Sequence, residues 1–333
     1  MQLADFDFHL PEELIAQEAL ADRASARMLV VYRDQGRWED RSFREFPEFL
    51  HPGDCLVLND SRVFPARLFG HRSGSARAEV FLLRSVSDDG RDWQALVRPG
   101  RKMRTGERIQ FDGGLEAEIV GRGEYGERTV RFLGSDDLWA AFDRIGHVPL
   151  PPYIKRADAP VDRERYQTVF ARDRGSVAAP TAGLHFTPEV LARCTAAEIA
   201  YVTLHVGLGT FQPLHEEQVE RAHLHSEQYR ITPENAAKIS AAQRVVAVGT
   251  TSVRTIETAA RTGRNSGDTD IFLYPGAQFL RTGAMLTNFH LPKTSLLLLV
   301  CAFAGTELAL AAYRHAIEDR YRFYSYGDCM LIL

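Results

Sequence analysis

The hydrophobic and polar positions follow three different patterns along the chain. Near the N-terminus they predict a helix over residues 11–20 and two short strands over residues 28–32 and 55–58. Between residues 63 and 148 the apolar segments are short, and turns rich in glycine and aspartate separate them. Short strands with turns at this spacing predict a small antiparallel barrel. Its predicted strands are residues 78–83, 93–97, 108–111, 115–120 and 129–132.

The C-terminal part alternates helices and strands. The predicted helices are residues 188–198, 233–243 and 252–261, and the predicted strands are residues 199–206, 245–249 and 271–273. This alternation predicts a sheet that contains parallel strands and carries helices on its faces. We therefore predict an α/β fold, with a discontinuous α/β domain formed by residues 1–62 and 149–333. The antiparallel β-barrel domain, residues 63–148, is inserted between its two parts.

A long helical stretch, interrupted near Gly305, is predicted over residues 293–319. Its longest apolar run, residues 296–304, has about half of the roughly 20 residues that a membrane-spanning helix needs. We interpret it as a buried core helix and expect no association with a membrane.

The charge balance changes this picture little. A net charge of −4 argues against a protein that binds nucleic acid with its whole surface, but it allows a local basic face. Residues 71–104 hold eight arginines and lysines against four acids, and Arg98, Arg101 and Lys102 are the candidate RNA contacts among them. A solvated surface that is rich in arginine explains the same segment.

The cysteines and the N-terminal residues indicate the cellular compartment. Four cysteines are far apart in the sequence and form no C-x-x-C pair, which favours free thiols in a reducing compartment. The first eight residues include acids and lack an apolar stretch, so we expect no signal peptide. We predict a cytoplasmic protein.

Several polar loops follow predicted strands. Asp60 comes directly after the strand at residues 55–58, where α/β sheets usually bind ligands, although an Asx turn explains it as well. The loop at residues 178–187 combines small residues with Thr181, His185 and Phe186, and we favour a functional role for it.

Glycines and hydroxyl groups follow two further strands. His205 ends a strand and precedes Gly207 and Gly209, without the third glycine that a dinucleotide fingerprint needs. Thr251 and Arg254 open a predicted helix, whose N-terminal N–H groups and dipole favour an anion. Ordinary helix capping explains the hydroxyl groups about equally well.

Two loops near the C-terminus mix aromatic and polar groups, as a nucleobase pocket requires. Their candidate residues are Phe289, His290, Tyr326 and Asp328. Each loop is also compatible with ordinary packing.

His223, His225 and Glu227 share one face if their segment is extended, because side chains alternate along a strand. A metal site of this type needs further ligands from elsewhere. We therefore expect no metal, and interpret the three residues as polar packing or substrate contacts.

In their order along the chain, these motifs resemble one family, the S-adenosylmethionine:tRNA ribosyltransferase-isomerases of queuosine biosynthesis. The matching stretches are residues 6–11, 59–67, 151–154, 166–169, 178–186, 205–211, 248–254, 287–292 and 326–328. The resemblance covers essentially the whole chain. Its departures, Ser61 for the usual threonine and Cys329 for the usual alanine, are conservative.

The resemblance implies an α/β domain with an inserted β-barrel and a specific reaction. The ribosyl part of S-adenosylmethionine is transferred and isomerised onto 7-aminomethyl-7-deazaguanine at the tRNA wobble position. The products are epoxyqueuosine-tRNA, adenine and methionine. The implied partners are this tRNA and S-adenosylmethionine, a co-substrate, with no other cofactor. We expect a monomer.

For this reaction His185 and His205 are candidate acid and base groups, because imidazole titrates near neutral pH. Asp60, a third catalytic candidate, or Asp328 contacts the ribose hydroxyls or the substrate amine, and Thr251 and Arg254 bind the methionine carboxylate. The remaining expected contacts are Phe186, Phe289 and Tyr326 stacked on a base, Thr181, Gly207, Gly209 and His290 in the substrate site, and Arg98, Arg101 and Lys102 on anticodon-arm phosphates.

Two other classes of function stay open from the sequence. One is a metal-dependent hydrolase that uses His223, His225 and Glu227. The other is a non-catalytic RNA-binding module, for which the polar glycine-containing loops have no evident use.

Overall fold

The computed structural model describes residues 1–72, 75–123, 126–207, 214 and 218–333. The strands are β1 Arg27–Tyr32, β2 Arg37–Ser42, β3 Asp54–Asn59, β4 Ser61–Val63, β5 Arg67–Arg72, β6 Ala76–Ser85, β7 Asp92–Arg98, β8 Arg108–Phe111, β9 Glu116–Arg122, β10 Glu127–Leu133, β11 Asp173–Ser176, β12 Ala197–Leu204, β13 Glu227–Ile231, β14 Arg244–Val248, β15 Ser266–Thr269, β16 Thr282–Asn288 and β17 Cys329–Ile332. The α-helices are α1 Leu138–Ile145, α2 Asp162–Arg165, α3 Pro188–Arg193, α4 Pro233–Ala241, α5 Thr250–Thr262, α6 Ser295–Ala304 and α7 Thr306–Glu318.

A nine-stranded mixed sheet has the strand order β15-β13-β12-β3-β14-β16-β17-β1-β2. Its centre is parallel, because β3 pairs in parallel with β12 and β14, and β14 pairs in parallel with β16. Every residue of β3 is buried, as expected for a strand that is covered on both faces. The carboxyl ends of β12, β3, β14 and β16 therefore meet at one edge of the sheet, which we call the carboxyl edge.

The two faces of this sheet pack against different layers. Val57 and Ala247 belong to the apolar cluster that includes side chains of α5, α6 and α7. Their neighbours Leu56 and Val246 belong to a second cluster, which contains Phe186. Successive side chains of a strand point to opposite faces, so the two clusters follow directly from the near-continuous apolar sequence of these strands.

Six antiparallel strands, β5 to β10, form a closed barrel in the order β10-β7-β6-β5-β8-β9, with β9 paired to β10. The burial of side chains alternates along β7, as expected when every second residue points into the barrel. The barrel lies between β3 and β12 in the sequence, whereas the sheet takes strands from both sides of it. The predicted fold class, an α/β fold with an inserted antiparallel barrel, is confirmed. The domain bounds at residues 62, 63, 148 and 149 stay predictions.

Two predicted elements are wrong. In place of a helix over residues 11–20, the chain forms only a short 3-10 turn, Glu12–Leu14. The next residues are extended because Ala16 donates its N–H to the carbonyl of Phe323, so a tertiary contact replaces the helical hydrogen bonds. Residues 271–273 form no strand, although Leu273 is buried in the core. The helix predicted for residues 188–198 ends at Arg193.

The helical stretch near the C-terminus is interrupted as predicted. Gly305, with φ of 89°, separates α6 from α7, and the two helices meet at 115°. Eight of the ten residues of α6 are buried, so its interpretation as a core helix is confirmed. No described helix is by itself long and apolar enough to cross a membrane, and α6 with α7 meets that test only as a bent pair.

Asn59 connects three elements at the carboxyl edge. Its Nδ2 donates to the carbonyl of Leu204, at 3.1 Å, and to Oγ1 of Thr251, at 3.2 Å. Its Oδ1 accepts the N–H groups of Leu204 and Ser61, each at 3.1 Å. The side chain is 1% exposed, so protein groups alone satisfy its two donors and two acceptor positions. Asn59 thereby fixes the end of β3 relative to β12 and α5.

We predict that Asn59→Ala lowers the free energy of unfolding by about 3 kcal/mol. The substitution leaves buried N–H and C=O groups of Leu204 without a partner, and each such group costs about 1–3 kcal/mol. Urea denaturation followed by circular dichroism measures the change. The control is the exposed Asn265→Ala, for which we expect a change within about 0.5 kcal/mol. Equal losses of unfolding free energy in the two variants would contradict the structural role assigned to Asn59.

Candidate functional site

A cleft opens at the carboxyl edge, with a volume of about 660 Å³ that includes solvent at its mouth. The carboxyl ends of three of the parallel strands, and the residues that follow them, contribute Val206, Thr251 and Asn288 to its lining. Thr181 and His290 also line it. The structure thus brings together three of the residues that the sequence predicts for a substrate site, namely Thr181, Thr251 and His290.

The N-terminus of α5 forms one wall of the cleft. Gly249 precedes the helix with φ of 84°, and no side chain caps its first turn. Thr250 and Thr251 line the cleft beside this turn. Hydroxyl groups and the positive end of a helix dipole together favour an anionic group in the cleft.

Two tyrosines form an aromatic wall. The ring centroids of Tyr153 and Tyr324 are 3.9 Å apart, and the Tyr153 hydroxyl is hydrogen-bonded to Ser325. Tyr324 has φ of 73°, which is uncommon for a residue with a side chain. Asn288 and Phe289 hold it there, because Asn288 Nδ2 donates to its carbonyl at 2.8 Å and the Phe289 carbonyl accepts its N–H at 3.1 Å.

The predicted stacking residues Phe186 and Phe289 do not reach this cleft. Both side chains are fully buried. Phe186 packs edge-on against Phe43, at 5.0 Å between ring centroids, and Phe289 packs against Tyr313, at 5.3 Å. Stacking on a base would require the core to open, so the structure does not support these two predictions. Tyr153 lies in one of the matching stretches and Tyr324 two residues before another, but the sequence pattern does not indicate which ring faces the core.

His290 is a neutral group of the cleft. Its Nε2 is 2.8 Å from Oγ1 of Thr287, and its backbone N–H donates to the Tyr313 hydroxyl at 3.0 Å. Burial lowers the pKa of His290 to about 3. At neutral pH this imidazole can donate or accept a hydrogen bond but carries no charge.

His185 lines a second cavity of about 310 Å³, together with Arg23, Arg165 and Tyr326. Its Nε2 is 3.3 Å from Oδ1 of Asn288, a residue of the cleft. Burial lowers the pKa of His185 to about 4. The structure therefore places the predicted residues His185 and Tyr326 behind the cleft, and Asn288 connects His185 to it.

His205 and Asp60 belong to a third group at the carboxyl edge. His205 Nε2 is 3.7 Å from Oδ1 of Asp173, and Arg230 forms an ion pair with the same carboxylate. Asp60 accepts a hydrogen bond from the Thr203 hydroxyl at 2.7 Å. Burial lowers the pKa of His205, which Asp173 opposes, and burial raises the pKa of Asp60.

Gly175 provides the space for the imidazole of His205. A Cβ atom at Gly175 would lie 2.8 Å from the ring, too close for any other residue. Sequence reasoning missed Asp173 and Arg230, because they lie on β11 and β13, far from His205 in the sequence. No spacing pattern indicates that these strands meet.

Asp328 has a structural role. Its carboxylate accepts the N–H groups of Arg27 and Arg322, each at 2.8 Å, and the residue is 3% exposed. These contacts hold the turn before β17 against the start of β1. The structure therefore does not support contact of Asp328 with a ribose or an amine.

Arg254 does have the carboxylate partner that its position predicts, but the partner is Glu227 of β13. Both side chains are 5% exposed, and Arg254 is not part of the cleft lining. Glu227 also accepts the N–H of Gly207 at 2.8 Å. Direct binding of a substrate carboxylate by Arg254 is not supported by this arrangement. Gly209, also predicted, lies outside the described residues.

The alternative metal site is not assembled. Glu227 faces Arg254, whereas His223 and His225 are exposed. Within the described ranges, the group of side chains that lie close enough together to hold a metal ion is Asp40, His315 and Asp319. Arg27 lies within 4.0 Å of both of these aspartates and offsets part of their charge.

The predicted RNA contacts lie on the barrel. Arg98 is 79% exposed along its side chain, and Arg101 and Lys102 are exposed in the next turn. The buried Arg128 holds this turn by donating to the carbonyls of Met103, at 3.1 Å, and Gly100, at 2.9 Å. Contact with RNA stays a prediction for these three residues.

Comparisons with known proteins agree with this geometry. The family model described as queuosine biosynthesis protein matches residues 3–332. A protein of Solibacter usitatus, named S-adenosylmethionine:tRNA ribosyltransferase-isomerase, is 76% identical, and one of Symbiobacterium thermophilum with the same name is 51% identical; the alignments cover 100% of each chain. The crystal structure of S-adenosylmethionine tRNA ribosyltransferase from Thermotoga maritima is similar, with 38% identity and a TM-score of 0.57. It covers 99% of this chain and 100% of its own.

We predict that His290→Gln reduces the acid sensitivity of the fold. Because the pKa of His290 is lowered to about 3, the unfolded chain takes up a proton near pH 6.5 that the folded chain does not bind. Between pH 7 and pH 5 this proton uptake lowers the free energy of unfolding of the wild type by about 2 kcal/mol. The free energy of unfolding of the variant should therefore fall by about 2 kcal/mol less over the same range. Urea denaturation at both pH values measures the difference. The exposed His9→Gln is the control, and a variant as acid-sensitive as the wild type would refute the prediction.

Proposed function

This chain belongs to the queuosine biosynthesis protein family, whose members are S-adenosylmethionine:tRNA ribosyltransferase-isomerases, and from that premise we propose its substrates and products. It transfers and isomerises the ribosyl group of S-adenosylmethionine onto 7-aminomethyl-7-deazaguanine at the wobble position of tRNA. The reaction yields epoxyqueuosine-tRNA and releases adenine and methionine. A cytoplasmic location and a monomeric state are part of the same proposal.

One observation carries the proposal. Motifs that are widely separated in the sequence, and on which the family resemblance depends, meet in a single cleft. Tyr153, Thr181, Thr251 and His290 each come from a different motif and line that cleft. A cleft with an aromatic wall, several hydroxyl groups and a helix N-terminus fits a ligand that combines a purine, a ribose and a carboxylate.

The proposed chemistry uses the activation that S-adenosylmethionine itself carries. Its sulfonium acidifies the neighbouring C5′ protons and later leaves as the neutral thioether of methionine. The protein must supply a base for C5′, a hydrogen-bond donor for the departing adenine and a pocket that excludes water. It must also hold the amine close to the ribosyl carbon, and such proximity contributes about 7–11 kcal/mol in well-oriented reactions.

The described contacts support a revised set of binding residues. We assign the methionine carboxylate to the N-terminus of α5, with Thr250 and Thr251, and the adenine to the wall formed by Tyr153 and Tyr324. His290 and Thr181 supply uncharged hydrogen bonds to the ribose. This arrangement leaves Arg254 in its ion pair with Glu227.

His205 is the proposed base. The carboxylate of Asp173 stabilises the imidazolium that forms when His205 takes up a proton, whereas His185 has no carboxylate within 4.0 Å among the described residues. His185, held neutral by burial, is the proposed hydrogen-bond donor that acts through Asn288. We assign Asp60 to contact with the substrate amine.

The reaction predicts a defined stoichiometry. Purified protein, S-adenosylmethionine and tRNA that carries the aminomethyl-deazaguanine should release one adenine for each tRNA that gains the mass of the ribosyl group. Chromatography of adenine and mass spectrometry of the nucleosides measure both. The control tRNA carries guanine at the wobble position and should give neither signal. The proposal would be refuted by folded protein that binds the modified tRNA but forms no product. Such tRNA binding without a reaction would favour an RNA-binding module.

We predict that Asp173→Asn lowers kcat by about tenfold, which corresponds to about 1.4 kcal/mol. Because Asp173 opposes the lowering of the pKa of His205, its loss should also move the acidic limb of the kcat profile to lower pH. Rates measured from pH 5 to pH 8 test both effects. The matched control is the exposed Asp268→Asn. A lower kcat with an unmoved acidic limb would indicate a structural role only.

A further inference from the structure

The second cavity, which adjoins the cleft at Ser325, has a positively charged lining. Arg23 and Arg165 both line it, and His185 and Tyr326 complete its polar surface. We call it the arginine cavity. The proposed reaction gives no role to its two guanidinium groups.

The arginines are held in place by uncharged groups. Arg23 donates to the carbonyls of Gln167, at 2.6 Å, and Glu164, at 2.8 Å. Arg165, from the segment that accepts these bonds, donates back to the segment before Arg23. Its Nη2 donates to the carbonyls of Leu20 and Ala21, the latter at 3.1 Å. These bonds connect two segments and fix both guanidinium groups at the cavity. The hydrogen bonds that Arg165 makes to described residues come from Nη2 alone, so its other donors can face a ligand.

The cavity arginines are not engaged in ion pairs with described acids, although the charge of Glu164 acts on Arg23. Across the described residues, no carboxylate lies within 4.0 Å of Arg23 or Arg165. Asp162 is already engaged by Arg156, at 2.7 Å and 2.8 Å, and by the Tyr326 hydroxyl, at 3.3 Å. Burial and the repulsion by Arg165 both lower the pKa of Arg23. An anion in the cavity would relieve this repulsion.

A third arginine adds to the positive potential. Arg322 donates from Nη2 to the carbonyl of Glu18, and its Nη1 is buried without a hydrogen-bond partner. Its charge and that of Arg23 both act on His185. Guanidinium groups match the geometry of phosphate and carboxylate oxygens, so the cavity suits one of these two anions.

We propose that the arginine cavity binds one phosphodiester group of the tRNA backbone, next to the nucleotide that is modified. The proposal rests on the proposed function, which brings the amine of the modified base close to the ribosyl carbon of S-adenosylmethionine in the adjoining cleft. S-adenosylmethionine is the weaker candidate, because its ammonium and sulfonium give it a net positive charge that three arginines repel. With a net charge of −4, the chain also needs local positive sites to hold a polyanion.

Arg165→Gln is the test variant, and Arg163→Gln is its matched control. Arg163 lies on the same helix and also donates to backbone carbonyls, those of Asp143 and Gly146, each at 2.6 Å. It is exposed and does not line the cavity. The two variants therefore lose similar contacts within the protein, and only one of them loses a cavity charge.

Fluorescence anisotropy measures binding of labelled tRNA to each variant at several salt concentrations, without S-adenosylmethionine. We expect Arg165→Gln to raise the Kd about tenfold and to reduce the slope of log Kd against log salt by about one. Arg163→Gln should retain the wild-type Kd and slope. Arg165→Lys, which keeps the charge, should recover most of the affinity if the glutamine variant acts through charge and not through misfolding.

Two results would overturn the proposal. One is an unchanged tRNA Kd and salt slope in a folded Arg165→Gln variant. The other is a higher KM for S-adenosylmethionine with an unchanged tRNA Kd, which would assign the cavity to the methionine carboxylate. Because the binding measurement needs no turnover, failure of adenine release refutes the proposed function without deciding this site.

Discussion

The arrangement of the carboxyl edge depends on the hydrogen bonds of one buried amide, that of Asn59. Its side chain bonds to both the N–H and the C=O of Leu204 and also to Thr251. A hydrogen-bond network in a low-dielectric interior is strong when complete and costly when one partner is missing. The positions of Thr251 in the cleft and of His205 after Leu204 both follow from this amide. Asn59 therefore fixes both Thr251 and His205, which have different chemical roles.

Burial distributes charge unevenly along this edge. In the cleft, His290 is kept neutral and the other polar groups are mainly hydroxyls and amides, so a sulfonium ligand meets no fixed positive side chain among the described lining residues. The arginine cavity carries positive charge without an ion pair among the described residues. Burial, and then the charges of Arg23 and Arg322, keep His185 neutral. Of His185, His205 and His290, only His205 has a described carboxylate, Asp173, within 4.0 Å, and Asp173 favours its protonated form. The cleft thus suits a cationic co-substrate, whereas the neighbouring arginine cavity suits a polyanionic RNA.

The sequence predicts the parts of this fold that local patterns determine. Five of the six barrel strands are predictable because alternation and turn residues are local properties, and the position of Thr251 after a predicted strand follows from the α/β pattern. The helix expected at residues 11–20 fails because a carbonyl of Phe323, distant in the sequence, pairs with that segment. The same limit explains Phe186, since a motif does not specify which of its rings faces the core.

The buried pair of Arg254 and Glu227 illustrates a cost that such a site carries. Desolvation of two charges commonly offsets their attraction, and here Nε and Nη2 of Arg254 remain without a hydrogen-bond partner. Stability alone is therefore a weak reason for the pair. It does connect α5, whose N-terminus forms a wall of the cleft, to β13 and, through Glu227, to the N–H of Gly207. We infer that its main contribution is to hold the helix terminus and the turn after His205 in a fixed relation.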